Sequence, residues 1–231
     1  MKIVEQTKSI TQDNALIEAC YSMTLNEKRL LMLGLSKVDP TKFPDIAEQL
    51  QFKLTASDWL KAYPESKQPY IDMKRAADSL LSRYLTLHPK TGQTERINWF
   101  SRVKYIDQGA SVEVEFTPPI KVRVMGLLEN FTTIPLLEVG RLKSMYGIRL
   151  YELLQQFKHT GARLVTLEDF RIAMDCVDRY PLTKDLKRRI LAPALHDLAK
   201  NNEMIVNAQD IKKGRKITGF KFVFEKQNRL F

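Results

Sequence analysis

Cysteine is scarce here: Cys20 and Cys176 are the two in 231 residues. They are far apart and have no companions at metal-ligand spacing. A disulfide framework or structural zinc site is therefore not expected, and two reduced thiols of the cytosolic kind are. Long apolar runs are missing too. No stretch approaches the roughly 18–20 residues needed to cross a bilayer. The start, MKIVEQTKSITQDN, turns polar too soon for a secretory signal. The expected location is the cytoplasm, with no membrane partner. Enzyme signatures are thin as well. His88, His159 and His196 stand apart, and no HExxH occurs. Gly214 and Gly219 have the spacing of a phosphate loop, but Phe220-Lys221 follows where Lys-Ser/Thr is required. The expectation is a chain that is not an enzyme, with no catalytic residue, no metal and no cofactor.

What is present is a basic, foldable chain. Apolar residues make up 44%, enough for one large core or two small ones. Lys plus Arg number 37 against 27 Asp plus Glu, a net charge of +10. Such a balance points to a polyanion. Residues 1–125 carry 18 basic and 15 acidic side chains, residues 126–183 carry 7 and 7, and residues 184–231 carry 12 and 5. The surplus therefore gathers at the end of the chain. That end also carries ordered apolar patterns, which favours a folded basic surface over a disordered tail.

Along the chain, residues 1–12 read as a flexible arm. Thr24 and Glu27 form a capping box, which predicts a helix to about Val38 that buries Leu30, Leu31, Leu33 and Leu35. A strand over 51–55 and a short helix over 57–63 follow. A longer helix is expected over 69–84, with Met73, Ala77, Leu80 and Tyr84 as its buried stripe. The period then falls from 3.6 to 2. Ile97, Trp99, Val103 and Tyr105, then Val112, Val114 and Phe116, predict a hairpin that turns at DQGAS. Thr117-Pro-Pro opens a short helix. The order then repeats: an extended stretch over 131–139, a helix over 142–157, a strand over 163–166, a helix capped by Thr166, a helix over 183–201, and a hairpin of 204–211 and 217–225. Helix, strand, helix, helix, hairpin is the order of a winged helix, a variant of helix-turn-helix. The expected fold class is α+β, two tandem winged-helix domains over 13–126 and 127–231.

The chemistry concentrates in the helix from Lys184 to Lys200. Leu191, Ala194, Leu195 and Leu198 form its buried stripe. At about 100° per residue, Arg189 and Lys200 point away from that stripe. Lys187 and Arg188 lie in the first turns, where side chains can reach past the helix end. Arginine reads the O6 and N7 of guanine bidentately, while lysine suits phosphate. Pro193 inside the helix predicts a kink. A second cluster, Lys212-Lys213-Gly214-Arg215-Lys216, sits at the tip of the last hairpin. The 69–84 helix offers Lys74, Arg75 and Arg83, diluted by Asp72 and Asp78. A merely solvated charged surface is the alternative to each; it is the weaker reading for the last helix and the hairpin tip, and a purely structural role weighs about equally for the 69–84 helix.

Four stretches together resemble one family. They are NALIEACYSMTLNEKRLLMLGLSKVD, YELLQQFKHTGARLVTLEDFRIAM, LKRRILAPALHDLAKN and KKGRKITGFKFVFE. In this order they are similar to plasmid replication initiators of the iteron-binding RepA, RepE and Pi type. The resemblance runs from about Asn14 to Glu225. It implies binding of double-stranded DNA: as monomers to iteron repeats at a plasmid origin, and as dimers to an operator inverted repeat in autorepression. Copy control and recruitment of the host initiator and helicase are also implied, as is a homodimer in equilibrium with the monomer, joined through the first domain. By position, Lys187, Arg188 and Arg189 would make the main base contacts, with Lys212, Lys213, Arg215 and Lys216 as the wing. Lys74, Arg75 and Arg83 would reach a neighbouring groove. The long C-terminal tail of some relatives is not expected. A winged-helix transcription regulator shares the fold and the charge. A DNA-nicking or primase-type enzyme would need metal ligands, or a catalytic tyrosine with histidines.

Overall fold

The computed structural model describes residues 8–38, 51–87, 93–124 and 130–226. The first half begins with β1 (Ser9–Asp13) and α1 (Asn14–Glu18). Helix α2 (Leu25–Leu35) follows, opened by the expected capping box: Thr24 Oγ1 accepts from the Glu27 amide, and Glu27 accepts from the Thr24 amide. Next come β2 (Gln51–Thr55), α3 (Ala56–Ala62) and α4 (Pro69–Ser82). Strands β3 (Tyr84–Leu87) and β4 (Glu95–Asn98) pair with each other. The hairpin of β5 (Phe100–Ile106) and β6 (Ser111–Phe116) turns through a 3₁₀ segment, Asp107–Gly109, and α5 (Pro118–Val124) ends the half.

The second half repeats the plan. After β7 (Phe131–Pro135) and α6 (Leu136–Arg141) come α7 (Met145–Gln155), β8 (Ala162–Thr166) and α8 (Leu167–Ala173). The long helix consists of α9 (Thr183–Leu186), a π-helical turn (Lys187–Leu191) and α10 (Ala192–Asn201). Strands β9 (Met204–Lys213) and β10 (Lys216–Lys226) form the last hairpin. In the first half the sheet order is β2-β6-β5, and in the second β8-β10-β9. Each places the strand between the second and third helices of its half beside the returning strand of the hairpin. This shared topology makes both halves winged helices, although their letters scarcely repeat.

Several expectations are corrected. The arm expected over 1–12 is a strand from Ser9 onward: β1 pairs antiparallel with β7, Ser9 opposite Pro135 and Asp13 opposite Phe131. The polar letters of this segment hide the alternation that buries Ile10 and Gln12. Residues 1–7, and the domain boundary expected at 126/127, lie outside the described residues. The 69–84 helix stops at Ser82. Arg83 is extended, and Tyr84 starts β3 with its ring exposed, so Ala76 completes the buried row instead. The stretch expected to be extended over 131–139 turns helical at Leu136, because Pro135 caps a helix rather than interrupting a strand. The helix expected over 142–157 begins only at Met145, where Ser144 accepts from the Gly147 amide. Strand β4 pairs with β3, so Glu95–Asn98 stand outside the hairpin expected to turn at DQGAS.

The two halves are fastened by exchanged segments. Helix α1, from the start of the first half, packs on α7 and α8 of the second. Helix α6, from the start of the second, packs on α2 and α3 of the first. Between them β1 and β7 join, and Thr11 and Thr133 meet through their hydroxyls at 3.1 Å. A charged cluster is buried in the same region. Lys28 Nζ lies 2.8 Å from Glu152, with the two side chains 1% and 0% exposed. Gln12 donates to Glu152 at 2.7 Å, and Lys28 donates to the Tyr21 hydroxyl at 2.7 Å. Arg149 donates to the Ala19 and Ala173 carbonyls, each at 2.7 Å, and lies over the Tyr21 ring. Buried charges persist only when paired and hydrogen-bonded, and nearly every donor here has an acceptor.

Candidate nucleic-acid interface

The helix from Thr183 to Asn201 is held on its inner side by Leu186, Ile190, Leu191, Ala194 and Leu198, all buried. Leu195 is only partly covered. Pro193 has no N–H to give the carbonyl four residues back. The helix answers one residue earlier by widening: the Ala192 amide donates to the Lys187 carbonyl, five residues away. A π turn is a common accommodation where the ladder is interrupted. Where a kink was expected the helix carries a π turn, and it falls on the basic residues Lys187, Arg188 and Arg189.

A buried acid, Asp197, anchors the far side. It accepts from the amides of Lys143 and Ser144, from the Ser144 hydroxyl at 2.7 Å and from the Asn201 amide group at 2.7 Å. Lys143 and Ser144 stand at the start of α7, so a helix N-terminus and a carboxylate meet. The long helix is thereby clamped to the domain, and its outer face is left open. That face carries Lys184, Arg188, Arg189, Ala192, Pro193, His196 and Lys200, all exposed.

The cations on this helix are not equivalent. Arg188 is held by Asp185 at 2.8 Å one turn earlier, and its side chain is still 65% exposed. Arg189 has its guanidinium 5.7 Å from the Tyr180 ring centre. Lys187 turns toward the hairpin, where its Nζ meets both oxygens of Asp210, at 2.8 and 3.0 Å. Lys184, Lys187, Arg188 and Ala192 line a shallow cleft against Ile217 of β10.

The hairpin is the wing. Phe220, Phe222 and Phe224 face inward, opposite Asp210, Ala208 and Val206 of β9. A bulge at Thr218 shifts the register, so that Ile217 stands opposite Lys212. Gly214 and Arg215 form a two-residue turn between paired Lys213 and Lys216. Gly214 takes φ +62°, the left-handed region that such turns need and glycine enters without strain. Lys212, Lys213, Arg215 and Lys216 are all exposed and make no ion pair among the described residues. Like charges this close repel, so a nearby anion would stabilise the tip.

The first half has the same parts with the charge largely cancelled. Lys74, on α4, lies 3.2 Å from Asp107 at the hairpin turn, over the rings of Tyr70 and Tyr105. Tyr70 donates to the same carboxylate, and Tyr105 donates to Asp78 on α4 at 3.2 Å. The Tyr70 hydroxyl and the Lys74 ammonium hold the Asp107 carboxyl below its ordinary range, and that carboxylate pushes the Tyr70 phenol up to about 12. Arg83 meets Glu27 of the capping box at 3.3 Å, where Ser79 also donates. Arg75 is exposed and has no ion pair among the described residues.

The structure thus brings Lys187, Arg188, Arg189 and the four tip cations into one helix-and-wing surface. Lys74, Arg75 and Arg83 belong to a separate surface. Sequence reading missed the acids that hold these cations: Asp185, Asp210, Asp107 and Glu27. One signal was available for Asp210. It stands in the alternating row Met204, Val206, Ala208, Asp210, where an inward apolar residue is otherwise due. Among the described residues no helix is long and apolar enough to cross a membrane.

A family described as "Initiator Replication protein, WH1" matches residues 9–155, and one described as "Initiator Rep protein, WH2" matches residues 166–224. An "Uncharacterized 27.6 kDa protein" of Escherichia coli is 26% identical over 218 residues, 88% of this chain and 90% of that one. The crystal structure of Pi initiator protein in complex with iteron DNA superposes with a TM-score of 0.79 at 20% identity, over 96% of this chain and 98% of that one. Domains 2 and 3 of RctB align with a TM-score of 0.50 at 12% identity, over 88% and 82% of the two chains. At these identities the likeness to the solved structures is one of fold.

Proposed function

This chain belongs to the replication initiator proteins whose matched regions are two winged-helix domains, and from that premise we propose that it starts plasmid replication by binding double-stranded DNA. The observation that carries the reading is the second domain's surface: a clamped helix with Arg188 and Arg189 outward, beside a wing tip of four cations that make no ion pair among the described residues. In this reading the helix enters a major groove, where the two arginines read guanine edges. Lys212, Lys213, Arg215 and Lys216 bind phosphate beside that groove. The first domain adds weaker contacts one helical turn away, chiefly through Arg75, because Lys74 and Arg83 are already paired. The solved Pi initiator complex contains iteron DNA. By analogy, the target here is a set of iteron repeats bound by the monomer, in the cytoplasm. Repression of the chain's own gene by a homodimer at an inverted repeat belongs to the same proposal, as does recruitment of the host initiator and helicase.

The expected log–log salt slope of binding is about −5 to −9, from roughly 6–10 phosphate contacts. Arg188→Ala or Arg189→Ala loses on the order of 1–3 kcal/mol on the preferred site and relaxes base preference. Lys213→Ala weakens all duplexes alike. Identical behaviour of the two classes would refute the division between helix and wing. Footprinting on DNA flanking the chain's gene separates the rival: tandem repeats mark an initiator, whereas a lone palindrome marks a regulator.

A further inference from the structure

Resting on the DNA-binding reading above, we propose that Asp210 is a positioning residue for sequence recognition: it withdraws Lys187 from the DNA phosphates and fixes the wing against the recognition helix. The register places Asp210 on the inward face, directly opposite the buried Phe220, so its carboxylate, 21% exposed, turns toward the helix. It takes Lys187 Nζ through both oxygens, at 2.8 and 3.0 Å. A lysine with its ammonium held this way adds little to nonspecific attraction. Attraction to phosphate is the term that treats all sequences alike.

Two further observations point the same way. Asp185 holds Arg188 at 2.8 Å, so the arginine next to Lys187 is also steered by an acid. In the first domain Asp107, on the hairpin turn, meets Lys74 of α4 at 3.2 Å. A carboxylate on the wing that binds a lysine on the recognition helix thus occurs in both halves, on letters that do not align. In an interface whose net charge is strongly positive, these acids oppose indiscriminate binding. Specificity is a difference of affinities, and lowering the nonspecific one raises it as surely as adding a base contact.

The test uses two duplex probes, one of random sequence and one selected by the unaltered protein from a random pool. Asp210→Ala frees Lys187. The expected result is tighter binding to the random duplex, a log–log salt slope steeper by about 0.9, and about tenfold less preference for the selected duplex. A merely structural role would weaken binding to both probes and leave the slope no steeper; that outcome overturns the assignment. Lys187→Gln keeps the question decidable if Asp210→Ala does not fold. With Lys187 already withdrawn, its slope stays within about 0.3 of the parent; flattening by about 0.9 places Lys187 on phosphate and overturns the proposal. Failure of the selection to enrich any duplex defeats the reading as a sequence-specific binder, whereas the slope on the random duplex still decides what Asp210 does.

Discussion

At the scale of single residues, the two cysteines show how little their positions in the sequence say about their surroundings. They stand far apart in the chain, yet Cys20 donates to Asp175, the neighbour of Cys176, at 3.5 Å. Burial pushes both thiols up, from 9.0 to about 11, and the Asp175 carboxylate adds to the rise. A thiol whose pKa is higher folded than unfolded binds its proton more tightly in the folded chain. Its stabilising contribution is complete below about pH 9 and is lost as pH rises toward about 11. Two consequences are measurable. Alkylation by iodoacetamide at pH 8 runs about 100-fold slower in the folded chain than in the urea-unfolded chain. Urea midpoints fall between about pH 9 and 11 in the parent and fall less in a Cys20→Ser, Cys176→Ser double variant. Equal alkylation rates in the two states would contradict the burial argument.

At the scale of elements, most of the framework was legible because its signals are local. The capping box at Thr24, the cap at Thr166, the 3.6-residue row of Met73, Ala77 and Leu80, and the phenylalanine row of β10 all act within a few residues. Misreadings occurred where a distant partner decides. Strand β1 exists because β7 pairs with it, and Tyr84 leaves the helix because β4 pairs with β3. The recognition helix is an intermediate case. Its basic face was legible, whereas its anchor, Asp197, looked like one more polar residue. Replacing Asp197 with Ala leaves the amides of Lys143 and Ser144 without their acceptor. It costs about 2–4 kcal/mol in urea unfolding, and DNA binding weakens as the helix loosens. A loss below about 0.5 kcal/mol would show that α7 needs no such anchor.

At the scale of the molecule, the two headpieces are joined by exchange of α1 and α6 and by charges kept from water. Gly140 on α6 marks how closely the halves approach: a Cβ there would stand 2.6 Å from the Ala62 carbonyl oxygen of α3. That oxygen is backbone and cannot swing aside. Gly140→Ala therefore separates α6 from α3, with a cost of about 1–3 kcal/mol. In the buried charge cluster, Glu152→Ala leaves Lys28 and Arg149 as buried cations without their acid. The expected loss is about 3–5 kcal/mol. Lys28→Met combined with Glu152→Met removes most of the unpaired charge and costs less than the sum of the two single changes. Strict additivity in that double-mutant cycle would mean that the two side chains do not interact.

Charge and period are properties of neighbouring letters. The amino-acid sequence by itself therefore determined the winged-helix order of elements, the basic last helix and the cationic tip of its hairpin. What those cations are free to do was decided only by tertiary structure. Lys187, Lys74 and Arg83 have carboxylate partners 23, 33 and 56 residues away, whereas Arg189, Arg75 and the tip residues have none among the described residues. A net charge sums over the whole chain, but a phosphate is attracted only by the charge left unpaired at the surface it meets.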